Sequence, residues 1–296
     1  MIVALIKTMR PKQWVKNGFV LIPLVFDVKL FDPTYLLPTL AGFALWCLVA
    51  GTVYIINDLA GAEKDRLHPK KRHRPIASGQ LPASTALVAA VLIPLIALPL
   101  AALLDPFFGA LLMSYFVLQI AYSLWLKQVV ILDVLIIAAG YVLRVASGVP
   151  LVEAARFSPW MYVFTTMLAL FLALGKRRGE LILLKENADS HRSSLQEYNL
   201  PLLDEMMSIV TSSIVVTYAF YTFSAEGLPP NHTMMLTIPF VLYGIFRYLY
   251  LIHSKGLTAA PDEVVLSDRP LQATIVLWGL SVVIVMYALP WVERHI

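Results

Sequence analysis

Two carboxylates, Asp58 and Asp65, stand beside a dense basic run in a chain that is otherwise mostly apolar. The stretch reads Asn57-Asp58-Leu-Ala-Gly61-Ala-Glu63-Lys-Asp65-Arg66, and Leu67-His68-Pro69-Lys70-Lys71-Arg72-His73-Arg74-Pro75-Ile-Ala-Ser78-Gly79 follows it directly. On a continued helix Asp58, Gly61 and Asp65 fall at i, i+3 and i+7 and share one face. Two carboxylates so placed can hold Mg²⁺, which takes one or two protein carboxylates and completes its shell with water and phosphate oxygens. The plain alternative is that they cap a helix end or pair with neighbouring Lys and Arg. An acid near membrane depth is costly, and that weighs towards function. By themselves Arg66, Lys70, Arg72 and Arg74 would serve as a tether for anionic headgroups. Because they adjoin carboxylates and end in a rigid Pro-Ile-Ala-Ser-Gly turn, they make a metal-plus-cation site suited to a diphosphate.

The elements that must position these groups are membrane helices. The chain has 296 residues, 59% of them hydrophobic and 14% charged, with a mean hydropathy of +0.74. A soluble domain carries about 25% charged residues. The pattern predicts an all-α, polytopic membrane protein with nine spans, near 17–29, 35–58, 81–104, 107–124, 131–149, 159–174, 207–223, 234–252 and 271–291. The first of these is short and is interrupted by Pro23. Placing the N-terminus in the cytoplasm puts most of the 23 Lys and Arg residues on the inner side of a cell (inner) membrane. No small-residue cleavage site follows the first apolar run, so it reads as a retained span. The whole of 1–296 reads as one domain, with long charged cytoplasmic loops at about 59–80 and 175–205. Cys47 is the single cysteine; it reads as a packing residue, with neither a disulfide within the chain nor a thiolate zinc cluster available. Trp14, Trp160 and Trp291 read as interface anchors, and His68 and His73 as phosphate or solvent contacts.

Arg144 and Arg247 interrupt apolar spans, where a charge costs at least ~2.5–3.5 kcal/mol. Snorkelling to the interface is the ordinary account. Arg247, in mid-span, calls for a partner such as Asp133 or a bound phosphate.

The pattern Asn-Asp-x-x-x-x-x-x-Asp-Arg followed by Arg-Pro-Ile-Ala-Ser-Gly resembles the first aspartate-rich motif of the UbiA superfamily of intramembrane prenyltransferases. Tyr122-Ser-Leu-Trp-Leu-Lys127 is similar to the Tyr/Lys motif of that superfamily, whose lysine faces the diphosphate. The resemblance extends over nearly the whole chain. It implies a nine-helix bundle with a central cavity open to the cytoplasmic side. It also implies Mg²⁺ on Asp58 and Asp65, and catalytic roles for these two with Lys127 and Tyr122. The chain departs from the pattern at Gly61, where the motif has a middle aspartate, leaving Asp58 and Asp65 with Glu63 nearby. The second aspartate-rich motif is replaced by Gly175-Lys176-Arg177-Arg178-Gly-Glu180-Leu, then His191-Arg192 and Glu197-Tyr198. This replacement resembles the decaprenyl-phosphate phosphoribosyltransferase branch. The same branch is matched by Arg10-Pro-Lys-Gln13-Trp14-Val-Lys16-Asn17, Leu132-Asp133 with Gly140-Tyr-Val-Leu-Arg144, Pro239-Phe-Val-Leu-Tyr243-Gly-Ile-Phe-Arg247-Tyr248 and Asp268-Arg269-Pro270.

A phosphoribosyl transferase must hold a diphosphate, a 5-phosphate and a lipid phosphate together. Exchanging acids for Lys176, Arg177 and Arg178 supplies fixed cations for the additional phosphates, although a positive-inside anchor would look the same. The expected reaction transfers a 5-phosphoribosyl group from 5-phosphoribosyl-1-diphosphate to a polyprenyl phosphate. The expected substrate-binding set is Lys16, Asn17, Asn57, Arg66, Lys70, Arg72, Arg74, Arg144, Lys176, Arg177, Glu180 and Arg247. The alternative is transfer of a polyprenyl group from its diphosphate to an aromatic or other small acceptor. A transporter of anionic lipid or phosphate would explain the buried arginines but not the acid cluster. Partners are then the lipid bilayer and the two substrates; nucleic acid is not expected, and self-association is left open.

Overall fold

Apolar runs of about 20 residues find no backbone hydrogen-bond partner in lipid, so each must close its own bonds as a helix. The computed structural model describes residues 1–69, 71–154, 158–186, 195 and 197–290, the side chains of 184–186 and 262 excepted, and its elements are all helical. In chain order they are α1 (Ile2–Thr8), a 3₁₀ stretch (Pro11–Leu21), α2 (Ile22–Phe26), α3 (Pro33–Ala60), α4 (Ala62–Leu67), α5 (Ala83–Leu104), α6 (Pro106–Leu124) and α7 (Leu132–Leu151). Then come α8 (Pro159–Glu186), α9 (Leu200–Ser224), α10 (Ile238–His253), α11 (Pro261–Ser267) and α12 (Arg269–Val283). Among the described residues, eight helices are long and apolar enough to cross a membrane, which makes this a multi-pass membrane protein.

The ninth expected span, at 17–29, is not one of them. That stretch is 3₁₀ up to Leu21 and then the five-residue α2. Prolines at both starts explain the break, since Pro11 and Pro23 bring no N–H to a helical ladder. The irregular stretch also buries Asn17, an amide that a lipid-facing span would leave without a partner.

Contacts divide the chain into two units, residues 1–124 with 143–154, and residues 125–142 with 155–296. In the first unit α3 packs along α5, and α5 along α6. Asp32 caps α3 by accepting from the Thr34 N–H at 2.9 Å, with Pro33 at the first helical position. The core holds Trp46, Val49, Phe108, Leu112 and Tyr115, and the Trp46 indole donates to Ser147 Oγ at 2.8 Å. At its far end α3 stops at Ala60, the Gly61 N–H closes on Asn57 O at 3.0 Å, and α4 begins at Ala62. Asp58 and Asp65 thus lie on two helices joined at Gly61, the first at the end of the expected span at 35–58 and the second in the charged stretch expected at 59–80.

In the second unit α8 and α9 pack along their lengths, as do α10 and α12. Asn199 caps α9 through the Leu202 N–H at 2.9 Å, and Asp268 caps α12 through the Leu271 N–H at 2.9 Å. Gly175 and Gly179 are one turn apart on α8. A Cβ on Gly175 would run into the Tyr248 hydroxyl, and one on Gly179 into the Thr258 carbonyl. This small-x-x-x-small spacing admits α10 and its following turn against α8, and it fixes which way the intervening Lys176, Arg177 and Arg178 face.

Candidate functional site

Asp58 ends a 28-residue apolar helix and Asp65 sits on the short helix after it, and both are buried, at 2% and 6% exposure. Carboxylates this deep need cationic or hydrogen-bonding partners. Arg74 Nη1 donates to Asp65 Oδ2 at 2.7 Å and to Asp58 Oδ1 at 3.1 Å, so one nitrogen sits between the two acids. Arg10 Nη2 donates to the same Asp58 oxygen at 2.7 Å. The Arg10 backbone is left-handed, with φ of 55°, a conformation that costs a non-glycine residue of order 1–3 kcal/mol. This conformation accompanies a guanidinium that lies over the Tyr54 ring, 4.6 Å from its centroid, and reaches Asp58. In contrast to the acids, the two arginine side chains are about one-third exposed, at 34% and 31%.

The donor set fits one Mg²⁺. Two buried carboxylate oxygens already converge on a single cationic atom within 3.1 Å, and Mg²⁺ asks for one or two carboxylates while keeping water and phosphate oxygens. Among the described residues no group of three His, Cys, Asp or Glu side chains forms a complete protein cage. Position 61 faces this pair: a Cβ there would sit 3.9 Å from Asp65 Oδ2. A middle aspartate would therefore have joined the cluster, and Gly61 leaves two acids. Glu63 is exposed on the first turn of α4 and does not replace it.

Elsewhere in the first unit, Arg144 is buried and does not snorkel. Its Nε donates to Asn17 Oδ1 and its Nη2 to Tyr115 Oη, both at 2.9 Å, and its guanidinium lies 5.1 Å from the Trp46 ring centroid. Asn17 in turn donates to Cys47 Sγ at 3.3 Å, which gives the lone cysteine a packing role. Lys16, Asn57 and Tyr122 are half-buried, Tyr122 in the last turn of α6, while Arg66 and Arg72 are exposed. Lys70 lies outside the described residues, as do His191, Arg192 and Trp291.

The second unit holds a different charge cluster. Asp133, in the first turn of α7, and Arg177, on α8, are both fully buried, with Arg177 Nε 2.8 Å from Asp133 Oδ2. Arg177 also pairs with Glu180 one turn on. Tyr198 Oη donates to Asp133 Oδ1 at 2.8 Å and accepts from the Ile131 N–H at 2.8 Å. Burial, together with the neighbouring Asp133 carboxylate, pushes the Tyr198 phenol up to about 12, so it stays a donor. Ile131 is left-handed at φ 71°, rare for a β-branched residue, and its N–H ends on that phenol.

Arg247 was expected to meet a partner such as Asp133 or a bound phosphate; it has an acidic partner, but that acid is Asp268 and not Asp133. Arg247 forms a two-pronged pair with Asp268, Nη2 to Oδ2 at 2.8 Å and Nε to Oδ1 at 3.2 Å. The reason is geometric: Asp268 caps α12, which packs along α10, so the cap lies beside the arginine. Arg178 donates to Asp204 Oδ1 at 2.7 Å and to Ile252 O at 3.1 Å, and His253 shares the Asp204 oxygen at 3.2 Å. Lys176 is exposed and Lys127 half-buried in a single 3₁₀ turn.

Sequence reasoning left Arg10, Tyr115, Asp133, Tyr198 and Asp268 out of the site set. Arg10 and Asp268 carried a signal, since each directly precedes or nearly precedes a proline that opens a helix. Asp133 and Tyr198 stood in segments that resemble the phosphoribosyltransferase branch, whereas Tyr115 carried no signal beyond residue type.

The model of the UbiA prenyltransferase family matches residues 27–263 of the chain. The decaprenyl-phosphate phosphoribosyltransferase of Corynebacterium glutamicum is 31% identical, over 97% of this chain and 87% of its own. The protein of the same name from Mycolicibacterium smegmatis is 32% identical, over 93% of this chain and 89% of its own. Among solved structures, a UbiA homologue from Archaeoglobus fulgidus bound to GPP and Mg²⁺ aligns with a TM-score of 0.72, covering 96% of this chain and 99% of that one at 17% identity. A membrane fold shared along almost the full length, together with relatives near 30% identity, leaves one assignment: this chain is a membrane-embedded transferase belonging to the UbiA prenyltransferase family.

Proposed function

We propose that the chain transfers a 5-phosphoribosyl group from 5-phosphoribosyl-1-diphosphate to a polyprenyl phosphate and releases diphosphate. The reaction takes place at the cytoplasmic face of a cell membrane, with the N-terminus inside. The observation that carries this reading is the pair of buried carboxylates closing on one guanidinium nitrogen beside a second guanidinium. Such a cluster binds a metal–diphosphate group: acids for the metal, arginines for the phosphate oxygens. The names of the relatives, decaprenyl-phosphate phosphoribosyltransferase, support this pair of substrates over an aromatic acceptor.

In this mechanism Asp58 and Asp65 hold Mg²⁺, which when bound polarises the donor diphosphate and neutralises charge on it as it leaves. Arg10 and Arg74 take diphosphate oxygens in charge-assisted bonds that strengthen as the leaving group gains charge. The bond from the anomeric carbon to the diphosphate oxygen breaks and the electron pair leaves with diphosphate. A bond from a lipid phosphate oxygen to that carbon forms. The acceptor is an anion at neutral pH, so no residue has to remove a proton. Tyr122, Lys127, Lys16, Asn17, Asn57, Arg66, Lys70 and Arg72 are proposed to serve the diphosphate end. Arg144, Lys176, Arg177, Glu180 and Arg247 are proposed to serve the remaining phosphates or to hold the helices that do. For Arg177 the second role is favoured, because its head is enclosed by Asp133 and Glu180.

The test is to incubate purified protein with Mg²⁺, labelled phosphoribosyl diphosphate and polyprenyl phosphate. A parallel reaction contains polyprenyl diphosphate and phenolic acids. Label in the lipid with matching diphosphate release is expected. Product only in the phenol reaction would reassign the chain to prenyl transfer, and no diphosphate release in either would point to transport.

A further inference from the structure

We infer that Arg74, assisted by Arg10, is a place-holding cation that occupies the metal position and makes metal binding depend on diphosphate. The inference rests on the metal reading of Asp58 and Asp65 above and extends it to the order in which the site fills. Arg74 Nη1 is 2.7 Å from one carboxylate and 3.1 Å from the other, which is where an ion shared by both acids would sit. The carboxylates are buried and the arginines are one-third exposed, so the cations can swing into water while the acids cannot.

Counting charge gives the consequence. Two acids and two arginines make a neutral cluster. A divalent ion arriving alone must displace Arg74 and leaves the site with two surplus positive charges on the guanidiniums. Diphosphate arriving alone adds its negative charge next to two buried carboxylates. When both arrive, the ion takes the carboxylates and the released guanidiniums take phosphate oxygens, so every charge keeps a partner. Removing one partner of a buried pair is costly, whereas exchanging it for another of the same sign is not. Metal and diphosphate therefore bind with positive coupling, and by linkage each raises the other's affinity by the same factor. Arg74 acts here as a positioning residue that decides when the acids become ligands.

Mn²⁺ binding to the purified full chain in detergent, read by electron paramagnetic resonance with and without inorganic pyrophosphate, tests this. Free ion concentrations are corrected for the Mn²⁺–pyrophosphate complex. In the unaltered protein pyrophosphate should raise Mn²⁺ affinity by about 10-fold or more, and Mn²⁺ should raise pyrophosphate affinity equally. Arg74→Gln should bind Mn²⁺ alone about 10-fold more tightly than the unaltered protein and lose most of the coupling. Asp58→Asn should bind Mn²⁺ in neither condition. Independent binding of the two probes to the unaltered protein overturns the inference without need of any variant, and so does a folded Arg74→Gln with unchanged Mn²⁺ affinity. No Mn²⁺ binding even with pyrophosphate would instead remove the metal reading itself.

Discussion

Two clusters of acids and arginines, one in each unit, use the same chemistry to opposite ends. Around Asp58 and Asp65 the anions are buried and the cations reach water. Around Asp133 anion and cation are both at 0% exposure, and a tyrosine closes the remaining carboxylate oxygen. A cation that reaches solvent can be exchanged for a metal or turned onto a phosphate. One that is sealed in cannot leave without stranding its partner. The first arrangement is suited to a site and the second to a brace that joins the start of α7 to α8 and to the segment before α9. Which side of an ion pair faces water separates them, and the residue types alone do not.

The sharpest way to break this contrast is to neutralise one acid in each cluster and read activity and stability together. Asp58→Asn should lower turnover at least about 100-fold while thermal unfolding in detergent barely moves, since Arg10 and Arg74 can rehydrate. Asp133→Asn should do the reverse. It removes the buried carboxylate from Arg177 and should cost about 3 kcal/mol, the low end for a broken buried pair. Adding Arg177→Met to Asp133→Asn should recover part of that loss, because an apolar chain of similar length needs no partner. Equal effects of the two single changes on melting would erase the distinction between site and brace.

Tyr198→Phe sharpens the same comparison at lower cost. It removes the donor to Asp133 Oδ1 and the acceptor for the Ile131 N–H, and an unsatisfied buried group costs about 1–3 kcal/mol. Deprotonation is no substitute for the mutation in ordinary buffers. The phenol is held up at about 12, so the tyrosinate absorbance of this residue should be absent at pH 10.5, where exposed tyrosines titrate. Melting of Tyr198→Phe indistinguishable from that of the unaltered protein would remove the tyrosine from the brace.

Much of this was legible before the structure. Hydropathy marks each crossing helix because lipid enforces it, and the acids announced themselves by standing at the end of an apolar run beside arginines. Partner identity was not legible. Arg247 meets Asp268 because two helices pack and a cap falls at the right height, a fact about tertiary packing that periodicity does not encode. Asp133 meets Arg177 for the same kind of reason, with Gly175 and Gly179 setting the approach of α10 to α8. Those glycines were in view as part of the motif, yet their spacing was not used as a packing signal. The first expected span, at 17–29, is not among the eight long apolar helices of the described residues, because it divides between a 3₁₀ stretch that buries Asn17 and the five-residue α2 that Pro23 opens.

The smallest effect tests the correction at Arg247. Asp268 caps α12 and takes both prongs of Arg247, and the hydrogen bond from that guanidinium holds its carboxyl below the usual carboxylate range. A lowered folded-state value means that the pair stabilises the fold above the ordinary value of 3.8. That stabilisation fades as pH falls through the lowered value. Asp268→Asn keeps a competent cap and removes only the charge. The pair is partly open to solvent, with Arg247 at 27%, so the melting difference between variant and unaltered protein should be small. It should hold steady from pH 5 to 8, shrink as pH falls below 3.8, and close only below the lowered folded-state value, where the native carboxyl is also neutral. A gap that does not shrink at all as pH falls below 3.8 would mean that Asp268 works through its cap geometry alone and that the charge of Arg247 is answered elsewhere.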